Sequence, residues 1–370
     1  MSFDDWLAEQ AEQREAAGLT RRLVESDRDP LLDLAGNDYL GLARDPRVIA
    51  GAVAASREYG AGAAASRLVS GTLSIHGRLE DSLAEFMGFP AALAFSTGYH
   101  ANLAVVTALA DADTLIVSDA HIHASLVDAC RLSRGTTRIV PHNDVSAVGR
   151  ALAERTQARA LVLAESIYSV FGDAAPLTEL ARVCATHGAV LVVDEAHALG
   201  VVGDGGRGLL RAAGLSDRPD VVATVTLSKS LGSQGGAVLG SGAVREHLVN
   251  RARAFIYDTG LAPAAAGAAV AALEVIVAEP DRVARATRAS ALLAEACEVE
   301  RPDAAVLSVA MPGPREAVEA VARAATQGVR VGCFRPPSTP DGSSRLRLTA
   351  HAHHTDEELA LATKVLREVR

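Results

Sequence analysis

The stretch AVLVVDEAHALG, residues 189–200, carries five apolar residues straight into Asp194-Glu195-Ala196-His197. A strand with one wet face alternates apolar and polar side chains, whereas a run apolar throughout suits a strand covered on both faces, as in a parallel sheet between helices. Runs of the same texture recur at Ala92–Ser96, Thr114–Ser118, Thr137–Val140, Ala160–Ala164, Val221–Thr226 and Gly236–Leu239. Amphipathic segments at Ala101–Leu109, His123–Leu132, Val145–Arg155 and Thr178–His187 alternate with them. The alternation predicts an α/β fold with a mostly parallel seven-stranded sheet flanked by helices.

The rest of the chain has another texture. Residues 264–300 read as one or two long helices, followed by strands at Ala305–Met311, Val329–Cys333 and Arg345–Thr349 and helices at Arg315–Ala325 and Asp356–Arg370. Thr355 and Glu358 make a T-x-x-E capping box for the last of these. The expected organisation is a helical segment over 1–36, a large α/β domain over 37–262 and a smaller α+β domain over 263–370.

A hydrophobic fraction of 49% with 22% charged residues describes a globular chain rather than a disordered one. The net charge of -9 speaks against a broad nucleic-acid-binding face, which needs clustered positive charge. Cys130, Cys184, Cys297 and Cys333 lie far apart with no CxxC pair, so reduced thiols and a cytoplasmic setting are expected. The acidic N-terminal stretch resembles neither a secretory signal nor a transit peptide. Leu261 to Ala278 is apolar but contains Pro263 and Glu274, and reads as a buried helix rather than a membrane span.

Ligands of open α/β sheets collect at the carboxyl ends of the strands. Four of these ends carry chemistry: Ser96-Thr97-Gly98-Tyr99, Asp119-Ala120-His121-Ile122-His123, Asp194-Glu195-Ala196-His197 and Ser228-Lys229. Lys229 is one of only two lysines, with Lys364, among 36 basic residues. Where arginine is the default cation, a lysine beside an apolar run points to an amine that can shed its proton and form an imine. Asp194 would suit a pyridinium nitrogen, although a helix cap or a surface ion pair is the bland alternative. The turn at Gly98 and Tyr99 offers helix-start N–H groups to a phosphate, or is an ordinary cap. His121 and His123 are capping or surface histidines unless they share the pocket.

Arg335 precedes Pro336-Pro337, a rigid setting for a guanidinium fork that grips a carboxylate, or a surface arginine beside a turn. Taken together, the lysine, the aspartate, the helix start and the arginine describe a pyridoxal 5'-phosphate site. Two decoys stand apart. Gly203 to Gly208 spells G-x-G-x-x-G but follows no strand and opens no long helix. His351, His353 and His354 lie together with no second cluster of ligands, and read as packing or solvated histidines, so no metal is expected.

The chain also resembles the α-oxoamine synthases, fold-type I pyridoxal phosphate enzymes that join an amino acid to an acyl thioester with loss of carbon dioxide. The resemblance runs from Asn37-Asp38-Tyr39-Leu40-Gly41-Leu42 through Ala65-Ser66-Arg67-Leu68-Val69-Ser70-Gly71-Thr72, His76 and Glu80 to FRPPSTPDGSSRLRLT. The last segment looks most like the branch that uses L-alanine and a pimeloyl thioester, from coenzyme A or a carrier protein; sister branches use glycine or serine. The resemblance implies that Lys229 holds the cofactor covalently and moves the α-proton, with Asp194 at the ring nitrogen and His197 at the ring hydroxyl. It places His123 on the ring face, Gly98, Tyr99 and Thr226 at the phosphate, and Ser169 beside the ring hydroxyl. Thr259 would reach the phosphate of a second subunit, which implies a homodimer with shared sites. Arg335 would bind the alanine carboxylate and Arg21 would lie near the acyl substrate. Two departures stand out: Val170-Phe171-Gly172-Asp173 where the family usually has Met-Asp, and Ala198-Leu199 where Gly-Thr is common.

Overall fold

The computed structural model describes residues 1–21, 23, 25 and 31–369. Eleven strands form two sheets among the described residues. In chain order they are β1 (Leu32–Leu34), β2 (Ala91–Phe95), β3 (Thr114–Asp119), β4 (Thr136–Val140), β5 (Arg159–Glu165), β6 (Val190–Asp194), β7 (Val221–Thr226), β8 (Gly236–Gly240), β9 (Val306–Met311), β10 (Val329–Phe334) and β11 (Ser344–Thr349).

The large sheet runs β2-β8-β7-β6-β5-β3-β4. The pairs from β7 to β4 are all parallel, and β8 is antiparallel to both its neighbours. Strands β3, β6 and β7 are buried almost throughout, which is why they read as continuous apolar runs. Register sets Asp194 opposite Glu165 on one side and Thr224 on the other, so the carboxyl ends of the central strands bring acids and hydroxyls together.

The small sheet runs β1-β10-β11-β9. β1 is a departure from the expected helical segment over 1–36: the helix Phe3–Ala16 is present, but Leu32–Leu34 is a strand pairing parallel with Val329–Val331. Three residues are too few to show a period in sequence, and the pairing partner lies some three hundred residues on. The last helix, Asp356–Val369, begins with the capping box: Thr355 N–H donates to Glu358 Oε2 at 2.8 Å and Glu358 N–H to Thr355 Oγ1 at 3.2 Å. Lys364 is exposed on this helix.

The helix Pro263–Ala278 is buried within the protein, packed on Pro46–Tyr59. A Cβ on Gly51 would come within 2.7 Å of the Gly267 carbonyl oxygen, and one on Gly267 within 2.6 Å of Gly51 O, so this crossing needs glycine on both helices. Among the described residues no single helix is long and apolar enough to cross a membrane. Arg67 Nη1 and Glu80 Oε1, both buried, pair at 2.9 Å, and the same oxygen accepts from Ala94 N–H at the start of the sheet. Loss of Glu80 costs about 3–5 kcal/mol, because Arg67 is left buried and uncompensated, whereas on loss of Arg67 the carboxylate keeps Arg245 Nη2 at 3.2 Å.

Candidate active site

A cavity of about 260 Å3 opens at the carboxyl ends of the central strands, lined by Gly98, Tyr99, His123, Asp194, His197, Thr226 and Lys229 together with Asn102, Ser125 and Glu165. Every strand end that sequence singled out for chemistry contributes to it. The decoy at Gly203–Gly208 instead forms one 3-10 turn over Asp204–Gly206 before a four-residue helix.

The floor of the cavity is built by Asp194, only 7% exposed. Its Oδ2 accepts from Asn102 Nδ2 at 2.7 Å and its Oδ1 from Ala196 N–H at 2.9 Å. Asn102 also donates to Ser125 Oγ at 2.8 Å and accepts from Thr224 Oγ1 at 2.6 Å, which holds the aspartate in one orientation. Two neutral donors on one carboxylate leave it free to meet a cation from the cavity side. Asn102 lies inside the helix Gly98–Leu109, where a polar residue gives no sequence sign that it faces an acid from another strand.

His123 caps the next helix, its Nδ1 receiving Ser125 N–H at 3.2 Å and lying 2.7 Å from Ser125 Oγ. An accepting Nδ1 puts the ring proton on Nε2. Burial holds the imidazole below its usual pKa, against the pull of Asp194.

At the other end, the helix Gly98–Leu109 starts against β7 and β8. Thr97 Oγ1 caps it by accepting from His100 N–H at 3.0 Å. A Cβ on Gly98 would lie 3.0 Å from Thr226 Cβ, and one on Gly236 would lie 2.5 Å from Gly98 Cα, so glycine brings this helix start close to the Thr226 and Ser228 hydroxyls. Those hydroxyls are 2.7 Å apart. Helix-start N–H groups beside two hydroxyls make a phosphate cradle.

Lys229 Nζ lies 2.7 Å from His197 Nε2. Burial pulls the Lys229 ammonium from 10.5 down to about 8, with Asp194 pulling the other way and Arg347 adding to the lowering. Burial likewise keeps His197 well below its usual range, reinforced by Lys229 and Arg347. His197 Nδ1 meets Tyr39 Oη at 2.6 Å, Tyr39 reaches Asn37 Oδ1 at 3.0 Å, and Arg347 Nη1 donates to the same Asn37 oxygen at 3.1 Å. Arg347 Nε donates to Ser169 O at 2.7 Å. A hydrogen-bonded chain therefore joins the lysine to the small sheet.

Arg347 is 4% exposed and has no carboxylate partner among the described residues. A buried guanidinium held by neutral oxygens and the face of the Phe334 ring, 5.2 Å away, is an incomplete ion pair of the kind a ligand carboxylate would complete. Glu165 is a second group that sequence reasoning missed. Its Oε2 accepts from Ser169 N–H at 3.2 Å and its buried Oε1 has no partner. Burial, with Asp194 next to it, pushes its carboxyl well above the usual range, so it offers a proton rather than a charge.

The remaining expected residues lie outside the cavity. Ser169 sits on the turn after β5, tied to Glu165 and Arg347. Thr259 is exposed and bridges to Ser66. Arg335 is not brought to Lys229: its guanidinium donates to the carbonyls of Gly18 and Thr20, and it lines a separate cavity of about 790 Å3 with Glu15 and Arg315. It follows β10, and the N-terminal segment lies across it, whereas Arg347 on neighbouring β11 points to the lysine side. Arg21 is exposed and donates to Ser338 Oγ at 3.3 Å.

The sequence model for aminotransferases of class I and II matches residues 29–366. An 8-amino-7-oxononanoate synthase from Mycolicibacterium gilvum is 57% identical over 366 residues, covering 98% of this chain and 96% of the relative. The enzyme of the same name from Mycolicibacterium smegmatis is 56% identical over 367 residues, with the same coverage. Among solved structures, the Sphingomonas wittichii serine palmitoyltransferase superposes with a TM-score of 0.91 at 30% identity, covering 99% of this chain and 96% of that one. An 8-amino-7-oxononanoate synthase from Francisella tularensis superposes with a TM-score of 0.78 at 26% identity, covering 91% and 97%.

Proposed function

Since this chain belongs to the family of class I and II aminotransferases, a pyridoxal phosphate family, we propose that it is an acyltransferase that joins L-alanine to a pimeloyl thioester. The products are 8-amino-7-oxononanoate, carbon dioxide and the free thiol of coenzyme A or a carrier protein, which places the reaction in biotin synthesis. What carries this reading is identity above one half, over nearly the full length of both chains, to enzymes named for that product.

The donor set of the cavity fits the cofactor: an amine able to be neutral, a carboxylate pinned by Asn102, and a helix-start cradle. When bound, pyridoxal phosphate supplies the electron sink that makes the α-carbon of an amino acid acidic. Lys229 would hold its aldehyde covalently and, once displaced by alanine, take and return the proton at the α-carbon. Asp194 would sit at the ring nitrogen, His123 on the ring face, and His197, with Ser169 nearby, at the ring hydroxyl. Gly98, Tyr99, Thr226 and Ser228 would receive the phosphate. We assign the alanine carboxylate to Arg347 rather than Arg335, since Arg347 is the buried and unpaired guanidinium on the lysine side. The new carbon–carbon bond forms between the alanine α-carbon and the thioester carbonyl as thiolate leaves. The carboxylate then departs as carbon dioxide and a proton replaces it.

Thr259, exposed beside the exposed Leu68, Val69 and Tyr257, supports a homodimer in which each copy completes the other's phosphate site. Four cysteines outside any disulfide, three of them buried, suit a cytoplasmic setting.

The test is product identity. The cofactor-loaded protein, sedimenting as a dimer, should convert pimeloyl-coenzyme A with L-alanine to a product of the mass of 8-amino-7-oxononanoate, and leave glycine and L-serine largely unused. A product from glycine or serine in place of alanine moves the chain to a sister activity, and a monomer that turns over overturns the shared site. Replacement of Arg347 by alanine should raise KM for alanine by about 10–100-fold, the loss of a charge-assisted pair. An unchanged KM would return the carboxylate to another residue.

The lowered pKa of Lys229 has a sign that kinetics can read. Only the neutral amine attacks an aldehyde, and a group titrating at about 8 is about one-tenth neutral at pH 7. Uptake of pyridoxal phosphate by the apoprotein, followed by stopped-flow absorbance, should speed up about tenfold from pH 7 and level off above about pH 9. A rate still climbing steeply past pH 10 would mean an ordinary surface amine.

A further inference from the structure

Behind Tyr39 lies a cluster that the proposed reaction does not use. His351, His353 and His354 occupy the turn between β11 and the last helix, and one ring nitrogen from each lies within 4.8 Å of the others. His351 is buried, His354 half-buried and His353 exposed. The rings of His351 and His354 stack at 4.9 Å, and His353 meets His354 edge-on at 4.7 Å.

Packing alone does not account for the polar atoms of this cluster. His351 Nε2 is held at 3.0 Å from Thr349 Oγ1 and 3.1 Å from Gly36 O, which orients its ring. His354 Nδ1 is buried with no hydrogen-bond partner. An orphaned buried ring nitrogen is costly in a protein interior and wants an acceptor, a donor or a metal.

We propose that His351, His353 and His354 form a binding site for a divalent transition cation of the Zn2+ or Ni2+ kind, with water completing its coordination. Three imidazoles are the ligand set that such borderline cations prefer over Mg2+ or Ca2+. Metal–nitrogen bonds of about 2.0–2.1 Å place tetrahedral ligand atoms about 3.3 Å apart, so from a spread of 4.8 Å the cluster has to contract by up to about 1.5 Å. The exposed His353 ring can supply that movement by side-chain rotation, and it also gives the cation an entrance from solvent. The bound cation would clasp this turn to the segment that carries Tyr39, where Ala352 N–H already donates to Tyr39 O at 2.7 Å. It acts on the fold and takes no part in the reaction.

The probe is ZnCl2 alone, titrated into untagged, cofactor-loaded protein by calorimetry and checked by metal analysis after dialysis. The expected result is one equivalent per chain, with a raised melting temperature. His353→Ala and His354→Ala should each weaken binding by at least about tenfold, while His247→Ala, an exposed histidine elsewhere, binds as the parent does. The exposure of His353 lets that variant fold, which an unchanged metal-free melting temperature checks. The absorbance of the lysine-bound cofactor should not move. No stoichiometric binding, equal binding by His353→Ala, or zinc that shifts the cofactor absorbance instead of needing His353 overturns the site.

Discussion

Replacing Lys229 by alanine is expected to lower turnover of alanine and the pimeloyl thioester by about four orders of magnitude or more, while the protein stays folded. The size follows from the two duties proposed for one amine, covalent attachment and proton movement at the α-carbon, with no second lysine within the cavity to stand in. Lys229→Arg should be no better. A guanidinium keeps its proton, whereas this position, with the ammonium pulled to about 8, is built for a base. The cradle at Gly98, Tyr99, Thr226 and Ser228 should still hold the cofactor by its phosphate, so affinity should fall far less than rate. Borohydride reduction of the parent followed by peptide mass analysis should find the cofactor on the peptide that contains Lys229. Finding it on Lys364 would sink the assignment.

Asp194→Asn is the second large effect. The amide has the shape of the carboxylate, so the hydrogen bond from Ala196 N–H can persist and the cofactor should remain bound. What is lost is the negative charge that would keep the ring nitrogen protonated. A fixed charge in a buried site, aligned before the reaction by Asn102 and Ala196, contributes a factor of about 10^2–10^3 to kcat. The loss should appear in kcat, with KM for alanine little changed, because the carboxylate of alanine is assigned to Arg347. A variant within about threefold of the parent kcat would mean that Asp194 only caps its turn.

The large sheet was legible because its strands are buried on both faces: a run such as Val190–Val193 carries its environment in its own composition. The cavity was legible for a related reason, since a polar residue at the end of such a run has few places to go except the ligand crevice. Residues whose partners are remote in sequence escaped. Asn102 looks like any helix residue until Asp194 is placed beside it, and Glu165 looks like a strand terminus until β5 and β6 are in register. Arg347 hid in the alternation of Ser344–Thr349, where a wet-facing arginine and a buried one look alike. Arg335 stood out by the family resemblance and by the two prolines that follow it, and rigidity of the backbone says nothing about direction. β1 was invisible for want of length.

Scarcity of lysine also shapes how this protein can be handled. With the cofactor on Lys229, the only side-chain amine left is Lys364 on the last helix. Apart from the chain's own α-amino group, an amine-reactive support or dye then has a single handle. Molecules attached through it would all be oriented alike, at a place the proposed chemistry does not use.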